Sequence, residues 1–239
     1  MSLIRRDRII VPLAGPDLIL YDGTLKPLID INGVPLLYHV LSRRPWFEKT
    51  PSKNYTFILI DNEYSRVLYE KHISKWFPES KYVYLSSLTK GAAISAAIGV
   101  LSGFQDNNAS LVIDLADIDY QFLKDPFEII NKNPDISGLV LTFESDSDQY
   151  SYVDIDNNSF VKNAKEKVVI SKNATAGTYF FKNTSIFFES ILGAVANEDD
   201  YLHNDLYYIC PLINALIKMD KKIKTYSVSN VFDYKGILY

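Results

Sequence analysis

The sequence predicts an α/β fold in which a mixed, mostly parallel sheet is flanked by helices. Two observations lead to this prediction. The first half of the chain alternates short apolar runs with helical patterns, an order typical of parallel strands joined by right-handed crossovers. The second half places several strands in close succession. No internal repeat or long linker interrupts the 239 residues, so we expect residues 1–239 to form one domain, with halves at about 1–125 and 126–239.

The strands of the first half are short apolar runs, as expected where helices cover both faces of a sheet. The expected strands are 9–14, 56–60, 81–85 and 110–115. The expected helices are 35–41, 63–77 and 91–101. A proline in its first turn favours the start of the first helix, and Pro78 ends the second. Thr89 is the expected N-cap of the third.

The second half changes character because its strands follow one another closely. The expected strands are 137–143, 152–155, 176–182 and 222–227, with a hairpin arm at 160–169. Two helical patterns follow the strand at 176–182, at about 185–195 and 206–219. We therefore expect a mixed sheet rather than a purely parallel one.

The charge of the chain argues against two classes of partner. A formal charge of −4 gives no reason to expect nucleic acid or an anionic membrane surface, because clustered lysine and arginine normally bind both. The one basic cluster, Arg5, Arg6 and Arg8, precedes the first strand and is expected to be a solvated edge. No stretch approaches the ~18 apolar residues of a membrane span, and the amino terminus lacks the apolar core of a signal sequence. We therefore expect no membrane insertion.

The single cysteine, Cys210, excludes an internal disulfide and fits a reducing, cytoplasmic location. It lies in the apolar run YYICPLINALI, which favours a helix, so we expect a buried structural thiol rather than a nucleophile. The three histidines are scattered and form no i,i+4 pair, which argues against a zinc site.

Two aspartates follow the last apolar strand of the first half. Asp117 and Asp119 come after the strand 110–115, where ligands bind in open α/β sheets. Mg²⁺ held against phosphates needs only one or two protein carboxylates. Alternatively, these aspartates only cap the turn after the strand. Asp114, inside the strand, is expected either to be structural or to support residues of the site, and Asp233 is a candidate second carboxylate from far along the chain.

Glycines mark two further candidate positions. Gly15 lies in the loop after the first strand, and Lys26 is the first cation after it. Such a loop usually suggests phosphate binding, yet this one carries Asp17 and Asp22 instead of a second cation. Gly91 lies at a helix N-terminus, where free N–H groups favour an anion or the polar edge of a base. Close packing is the alternative role for Gly91.

Five segments occur in a recognisable order along nearly the whole chain. They are VPLAG…KPLIDINGVPLLYHVL, TKGAA, LVIDLADIDY, KEKVVISKNATAGTYFFK and VSNVFDYKG. With these segments the chain resembles the sugar-phosphate nucleotidyltransferase family, the NDP-sugar pyrophosphorylases. The resemblance implies a Rossmann-like sheet of the GT-A nucleotidyltransferase type. It also implies a reaction in which a sugar 1-phosphate attacks the α-phosphorus of an NTP, forming an NDP-sugar and releasing pyrophosphate.

The resemblance also implies roles for particular residues. Asp117 and Asp233 would hold Mg²⁺, the implied cofactor, between the NTP and the sugar phosphate. Lys26, the second catalytic residue beside Asp117, would contact phosphates at the reacting α-phosphorus. The implied nucleotide-binding residues are Leu13, Ala14, Gly15 and Gly91, and the implied sugar-phosphate-binding residues are Glu166, Lys167 and Gly177.

The resemblance further implies a division of labour and a set of partners. NTP would bind to the half at about 1–125, and sugar 1-phosphate to the half at about 126–239. The product would serve sugar-nucleotide and polysaccharide biosynthesis. Relatives often self-associate, so a homo-oligomer is compatible with the resemblance.

The opening loop departs from the family pattern. Family members typically carry Gly-x-Gly-(Ser/Thr)-Arg there, whose amides and arginine wrap the triphosphate. The matching stretch is Gly-Pro-Asp-Leu-Ile-Leu at 15–20. The second glycine and the arginine are missing, Pro16 supplies no N–H, and Asp17 adds negative charge. Losing a charge-assisted contact to the reacting phosphates reduces transition-state stabilisation.

Three hypotheses follow from these observations. The first is an active, Mg²⁺-dependent nucleotidyltransferase, in which Lys26 alone or Lys90 supplies the phosphate-binding cation. The second is a catalytically impaired relative that binds a nucleotide, a sugar phosphate or a protein partner in a regulatory role. The third is a glycosyltransferase with the same GT-A-like core, in which Asp117 and Asp119 form the metal motif.

Overall fold

A computed structural model describes residues 7–103 and 108–234. Arg5 and Arg6 of the basic cluster, and Gly236 of the last family-like segment, lie outside the described residues. Arg8 is half-buried, and its guanidinium donates to the carbonyl oxygen of Val100 at 2.9 Å. The expectation of a solvated edge is therefore wrong for Arg8.

The strands follow the order that the sequence predicts. They are β1 Arg8–Pro12, β2 Asp30–Ile31, β3 Val34–Pro35, β4 Tyr55–Ile60, β5 Lys81–Leu85, β6 Leu111–Asp114, β7 Ile118–Gln121, β8 Gly138–Glu144, β9 Tyr152–Ile155, β10 Val161–Lys165, β11 Asn173–Phe181, β12 Leu202–His203, β13 Leu206–Tyr207, β14 Ile223–Ser227 and β15 Ser229–Asp233. The long strands match the predicted ones to within a few residues. The short strands β2, β3, β7, β12, β13 and β15 are not predicted.

The helices connect these strands on both sides of the sheet. They are α1 Leu36–Ser42, α2 Glu63–Leu68, α3 Ser74–Trp76, α4 Ala92–Ser102, α5 Pro126–Lys132, α6 Thr184–Val195 and α7 Leu212–Lys218. A π-helical turn at Tyr69–Ile73 joins α2 to α3, so the predicted helix 63–77 is one helix with a locally wider turn. No helix in the described residues is long and apolar enough to cross a membrane.

The large sheet has the strand order β14-β8-β11-β6-β1-β4-β5, and the β9–β10 hairpin joins the start of β11. The strands β6, β1, β4 and β5 are parallel to one another. β11 runs antiparallel to both β6 and β8, so it joins the two parts of the sheet. The predicted α/β class with a mixed, mostly parallel sheet is confirmed.

Apolar side chains cover both faces of this sheet and form two core layers. Consecutive residues of β1 supply opposite layers, because side chains alternate along a strand. Ile10 belongs to the layer beneath α4, α6 and α7. Ile9 and Val11 belong to the layer beneath α1, α2 and α5. The strand β1 is therefore buried on both faces, as its continuous apolar run predicts.

Two predicted elements need correction. The helix predicted at 206–219 begins only at Leu212, because β12 and β13 form a short hairpin before it. Asn204 and Asp205 at its turn have φ of +50° and +59°, which suits a tight type I′ turn. Gly91, not Thr89, occupies the N-cap position of α4, and the Thr89 hydroxyl donates to the Gly91 carbonyl oxygen at 3.0 Å.

A buried ion pair joins the end of α1 to the central strand β6. Arg44 donates from Nε to Asp114 Oδ2 at 2.7 Å and from Nη2 to Asp114 Oδ1 at 2.9 Å. Both side chains are fully buried, and the guanidinium stacks 4.1 Å from the ring centre of Tyr120. Burial alone would lower the pKa of Arg44, but the Asp114 carboxylate outweighs burial and raises it. Asp114 is therefore structural, as the sequence predicts.

We predict that Arg44→Met lowers the free energy of unfolding by about 3–5 kcal/mol, because it leaves the Asp114 carboxylate buried without its partner. Urea denaturation measures this loss. Arg66→Met is the matched control, since Arg66 pairs with Asp61 at 2.6 Å but the two side chains are 52% and 40% exposed. The control should lose less than about 1 kcal/mol. Equal losses in the two variants would contradict this prediction.

Candidate active site

A cavity of about 480 Å³ opens at the carboxyl ends of β1 and β6, where open α/β sheets bind ligands. Its walls come from both halves of the chain. The residues proposed from the sequence that line it are Leu13, Ala14, Gly15, Lys26, Gly91, Asp117, Glu166, Lys167 and Gly177. Asp233 is not among the residues that line this cavity.

Lys26 is buried in this cavity, between two carboxylates. It lies in a 3₁₀ turn, Lys26–Leu28, that the buried Pro27 anchors. Its ammonium is 2.7 Å from Asp117 Oδ1 and 2.7 Å from Asp17 Oδ2. Burial alone would lower the pKa of Lys26, but Asp117 and then Asp17 outweigh burial and raise it. Lys26 is therefore a fixed positive charge at neutral pH.

The opening loop has a compact conformation of its own. Pro16–Leu18 forms a 3₁₀ turn, and the buried Leu18 ties it to the core. The loop then folds back on itself through a bridge between Ile19 and Leu25. In this conformation the carboxylate of Asp17 lies against the Cα of Gly15, where a Cβ would come within 2.6 Å of Asp17 Oδ1. The segment 15–20, which differs from the family pattern, thus places the Asp17 carboxylate in contact with Lys26.

The turn after β6 aims Asp117 into the cavity. Ala116 has φ of +56°, a left-handed conformation that costs energy for a residue with a Cβ. The Asp114 carboxylate stabilises this turn, because its Oδ1 accepts from the Ala116 N–H at 2.9 Å. The buried Arg44–Asp114 pair thereby helps to set the direction of the Asp117 side chain.

Asp233 lies beside Asp117 through a two-stranded ribbon that the sequence does not predict. β15 pairs antiparallel with β7, and Asp233 is opposite Ile118, the residue after Asp117. The Tyr150 hydroxyl, which lines the cavity, donates to Asp233 Oδ2 at 2.8 Å. Burial, followed by this bond to a carboxylate, raises the pKa of Tyr150.

Asp119 lies on the other side of the turn, away from the cavity. Its carboxylate is buried and accepts from Arg43 Nε at 2.9 Å, with His39 Nε2 at 3.5 Å. It is not among the residues that line the cavity. We therefore correct the expectation that Asp117 and Asp119 hold one metal ion.

The carboxylates of Asp117 and Asp233 are candidate oxygen ligands for a divalent cation. Mg²⁺ prefers oxygen ligands and often takes only one or two from the protein. Asp117 and Asp233 are neighbours across the β7–β15 ribbon and supply such oxygens. No group of three or more His, Cys, Asp or Glu within residues 7–103 and 108–234 has the geometry of a metal site. The donor set therefore suits Mg²⁺ bound together with phosphate rather than a metal held by the protein alone.

The part of the cavity that the second half of the chain lines carries hydroxyl groups and a second cation. Glu166 is buried and accepts a short hydrogen bond from the Ser151 hydroxyl. Lys167 has φ of +51°, and its ammonium lies 5.8 Å from the ring centre of Tyr208. Of the described residues that line the cavity, Lys26 and Lys167 are the only cationic ones. Sequence reasoning missed Ser151, because an isolated serine carries no signal of its partner.

An irregularity in β11 brings Gly177 to the cavity. The pairing of β11 with β8 shifts between Thr175 and Tyr179, so the intervening residues leave the regular ladder. Gly177 has φ of +69°, and its carbonyl oxygen accepts from the Leu115 N–H at 3.0 Å. The Thr175 and Tyr179 hydroxyls lie 2.8 Å apart on the same wall. This wall therefore presents several polar groups suited to a ligand rich in hydroxyls.

Gly91 is in contact with the backbone of the same chain. It has φ of +101°, and a Cβ there would lie 2.4 Å from the carbonyl oxygen of Tyr207. The Tyr207 N–H donates to the carbonyl oxygen of Lys90 at 2.9 Å, which fixes this approach. The glycine thus has a packing reason that does not involve a ligand. The Lys90 side chain is exposed, pairs with Glu198 at 3.0 Å and does not line the cavity.

Comparisons with solved structures identify the fold. A nucleoside-diphosphate-sugar pyrophosphorylase from Vibrio cholerae superimposes with a TM-score of 0.79 at 20% identity, covering 94% of each chain. The sugar-phosphate nucleotidyltransferase fold is therefore shown. A candidate glucose-1-phosphate thymidylyltransferase from Bacillus anthracis, in complex with a sucrose, gives 0.71 at 17% identity, covering 95% of this chain and 89% of that one.

The nucleotidyltransferase fold extends to a protein that acts on a different acceptor. The inositol-1-phosphate CTP transferase from T. maritima gives a TM-score of 0.66 at 12% identity, covering 97% of this chain and 89% of that one. No family model and no curated protein matches the sequence. The resemblance predicted from the sequence segments is thus confirmed as a likeness of fold.

We predict that Cys210 of this nucleotidyltransferase fold is unreactive in the native protein. It is buried, and its Sγ lies 3.8 Å from the Tyr152 carbonyl oxygen. Burial, and next the Glu166 carboxylate, raise the pKa of the thiol well above its usual value. A disulfide reagent at pH 8 should react at least about ten times more slowly than in urea, because each unit of pKa removes tenfold of the thiolate. Equal rates would contradict a buried thiol.

We predict that Gly91→Ala lowers the free energy of unfolding by about 2–4 kcal/mol, because it combines a left-handed φ with a backbone collision. Gly33→Ala is the matched control, since Gly33 has φ of +86° but open space at the position of a Cβ. The control should lose about 1–2 kcal/mol from the left-handed φ alone. Urea unfolding of both variants measures the difference, and its absence would refute the collision with Tyr207.

Proposed function

We propose that the protein is a Mg²⁺-dependent nucleotidyltransferase that couples an NTP and a sugar 1-phosphate to an NDP-sugar and pyrophosphate. One observation carries the proposal. A single cavity is lined by the Lys26–Asp117 ion pair from the first half of the chain and by the adjacent residues Glu166 and Lys167 from the second half. The two cations can each bind a phosphate group, and the carboxylates and hydroxyls can orient metal and sugar.

In the proposed reaction, an oxygen of the sugar 1-phosphate attacks the α-phosphorus of the NTP. The new bond joins that oxygen to the α-phosphorus, and the bond from the α-phosphorus to the β-phosphate oxygen breaks. The electron pair of the broken bond leaves with pyrophosphate. Catalysis of such a transfer rests on positioning and charge stabilisation rather than on covalent work by the protein.

Each named residue has a part in this scheme. The Lys26 ammonium donates to the α-phosphate, where negative charge develops. Asp117 and Asp233 would hold Mg²⁺, which would neutralise phosphate charge. Lys167 binds the phosphate of the sugar 1-phosphate. Glu166 accepts from sugar hydroxyls, and Ser151 orients its carboxylate through their hydrogen bond.

The base and ribose are placed at the end of the cavity nearest β1. Leu13, Ala14 and Gly15 line that end, and their segment follows β1 directly. Gly91 contributes the backbone at the N-terminus of α4. In this scheme residues at about 1–125 hold the nucleotide and those at about 126–239 hold the sugar phosphate. A cytoplasmic location, where NTPs are abundant, agrees with the same scheme.

One observation favours a second candidate function. The Asp17 carboxylate forms an ion pair with the Lys26 ammonium, so the positive charge proposed to bind phosphate already has a counterion. A protein that binds sugar phosphates or nucleotides without transferring the nucleotidyl group is compatible with this contact. The glycosyltransferase alternative loses its proposed metal motif, because Asp119 is paired with Arg43.

We predict that purified protein releases pyrophosphate from a panel of NTPs and sugar 1-phosphates in Mg²⁺. Lys26→Met and Asp117→Asn should each reduce the rate by about a hundredfold or more, because each removes charge stabilisation at the reacting phosphate. Lys90→Met is the control, since its side chain is exposed and does not line the cavity, and it should keep the wild-type rate.

Two results would contradict this proposal, one for the activity itself and one for the role of Lys26. Absence of pyrophosphate with every pair in the panel would favour the second candidate if NTPs or sugar phosphates still raise the melting temperature, because a ligand stabilises whatever it binds. A rate that Lys26→Met leaves unchanged would remove Lys26 from the proposed chemistry.

A further inference from the structure

The contact between Asp17 and Lys26 has a consequence for what the cavity accepts. An ammonium group has three N–H donors, and the two carboxylates of Asp17 and Asp117 each take one. One donor therefore remains for a phosphate oxygen. Two carboxylates against one ammonium leave this cluster with a net charge of −1, so the phosphate end of the cavity is anionic.

The rest of the phosphate end does not compensate for this charge. Among the described residues that line the cavity, the second cation is Lys167, which comes from the second half of the chain and is exposed. The opening loop supplies no arginine, and Pro16 supplies no N–H. A free polyphosphate would therefore meet two carboxylates and one partly used ammonium. A polyphosphate bound to a divalent cation would instead bring its own positive charge to the carboxylates.

The Asp17 side chain is exposed enough to rotate away from Lys26. Its side chain is 41% exposed, whereas that of Lys26 is 9% exposed. Lys26 also keeps its second carboxylate, Asp117, when Asp17 moves. The backbone of Asp17 is fixed by the turn Pro16–Leu18 and the buried Leu18, so rotation of the side chain alone breaks the contact. A partly exposed ion pair of this kind is weak enough for a ligand to displace.

We propose that Asp17 is a specificity determinant that competes with free polyphosphate for Lys26 and admits polyphosphate as a complex with a divalent cation. The carboxylate occupies the position on Lys26 that a phosphate oxygen takes in the proposed reaction. Asp17 thus makes nucleotide entry depend on the cation. This inference rests on the proposed function for its biological meaning, but the charge discrimination itself is a binding property that can be measured without turnover.

The test uses inorganic tripolyphosphate, which has the phosphates and no nucleoside. Its affinity for the full chain is measured by calorimetry in EDTA and again in Mg²⁺, for wild type, Asp17→Asn and Asp22→Asn. Asp17→Asn keeps the size of the side chain and removes the charge. Asp22→Asn makes the same change of net charge in the same loop, where Asp22 is exposed and accepts from the Thr24 N–H at 2.9 Å.

In EDTA, Asp17→Asn should tighten binding of tripolyphosphate by roughly fivefold or more, while Asp22→Asn leaves it unchanged. The ratio of the tripolyphosphate affinity in Mg²⁺ to that in EDTA should decrease in Asp17→Asn and stay unchanged in Asp22→Asn. An equal increase of affinity in both variants would show that only the net charge of the loop matters, and it would overturn the proposal. No gain, or no binding in wild type and variant alike, would also overturn it. Failure of the proposed function has a different signature: discrimination persists, but no NDP-sugar forms.

Discussion

The buried pair of Arg44 and Asp114 is the interaction on which the geometry of the site depends. It joins the end of α1 to the middle of the sheet, and both charges are removed from water. Such a pair is costly to break because either partner alone would be a buried, unpaired charge. The same aspartate holds the strained turn at Ala116. The Asp114 carboxylate therefore does two things. It binds Arg44 at the end of α1, and it stabilises the turn that directs Asp117 into the cavity.

Charge in the cavity is arranged as two separate clusters. At one wall Lys26 is embedded between two carboxylates, and at the other Glu166 is buried beside the exposed Lys167. The buried ammonium has its counterions within the chain, so it needs no ligand to compensate for burial. Both clusters are therefore held by contacts within the chain itself.

The sequence predicts the large elements well because buried strands and amphipathic helices have strong periodic signals. β1, β4 and β6 are examples, and their carboxyl ends correctly locate the cavity. Short elements fixed by partners are not predictable in this way. The β7–β15 ribbon, which brings Asp233 beside Asp117, depends on pairing across more than a hundred positions. The β12–β13 hairpin before α7 was not predicted, because the apolar run that contains β13 is also typical of a helix.

Side-chain partners were the second limit on prediction. Arg43 and Arg44 are adjacent in the sequence, yet one is half exposed and the other is fully buried. Asp117 and Asp119 likewise differ, because Asp117 lies in the turn before β7 and lines the cavity, whereas Asp119 lies within β7 and pairs with Arg43. The negative charge of Asp17 was visible in the sequence, but its contact with Lys26 depends on the fold of the loop. Spacing alone does not contain this information.

The approach of Tyr207 to Gly91 also bears on how relatives of this chain should be compared. A glycine at this position is demanded by the chain's own backbone, so selection would retain it even in a lineage that had lost its ligand. A glycine retained at position 91 in an alignment would indicate that the backbone of Gly91 packs against that of Tyr207, and it would not by itself indicate a ligand. The identity of residue 17 is free of that packing demand. If Asp17 acts as proposed, variation at position 17 would accompany changes in ligand charge, and this position would be the more informative marker of functional divergence.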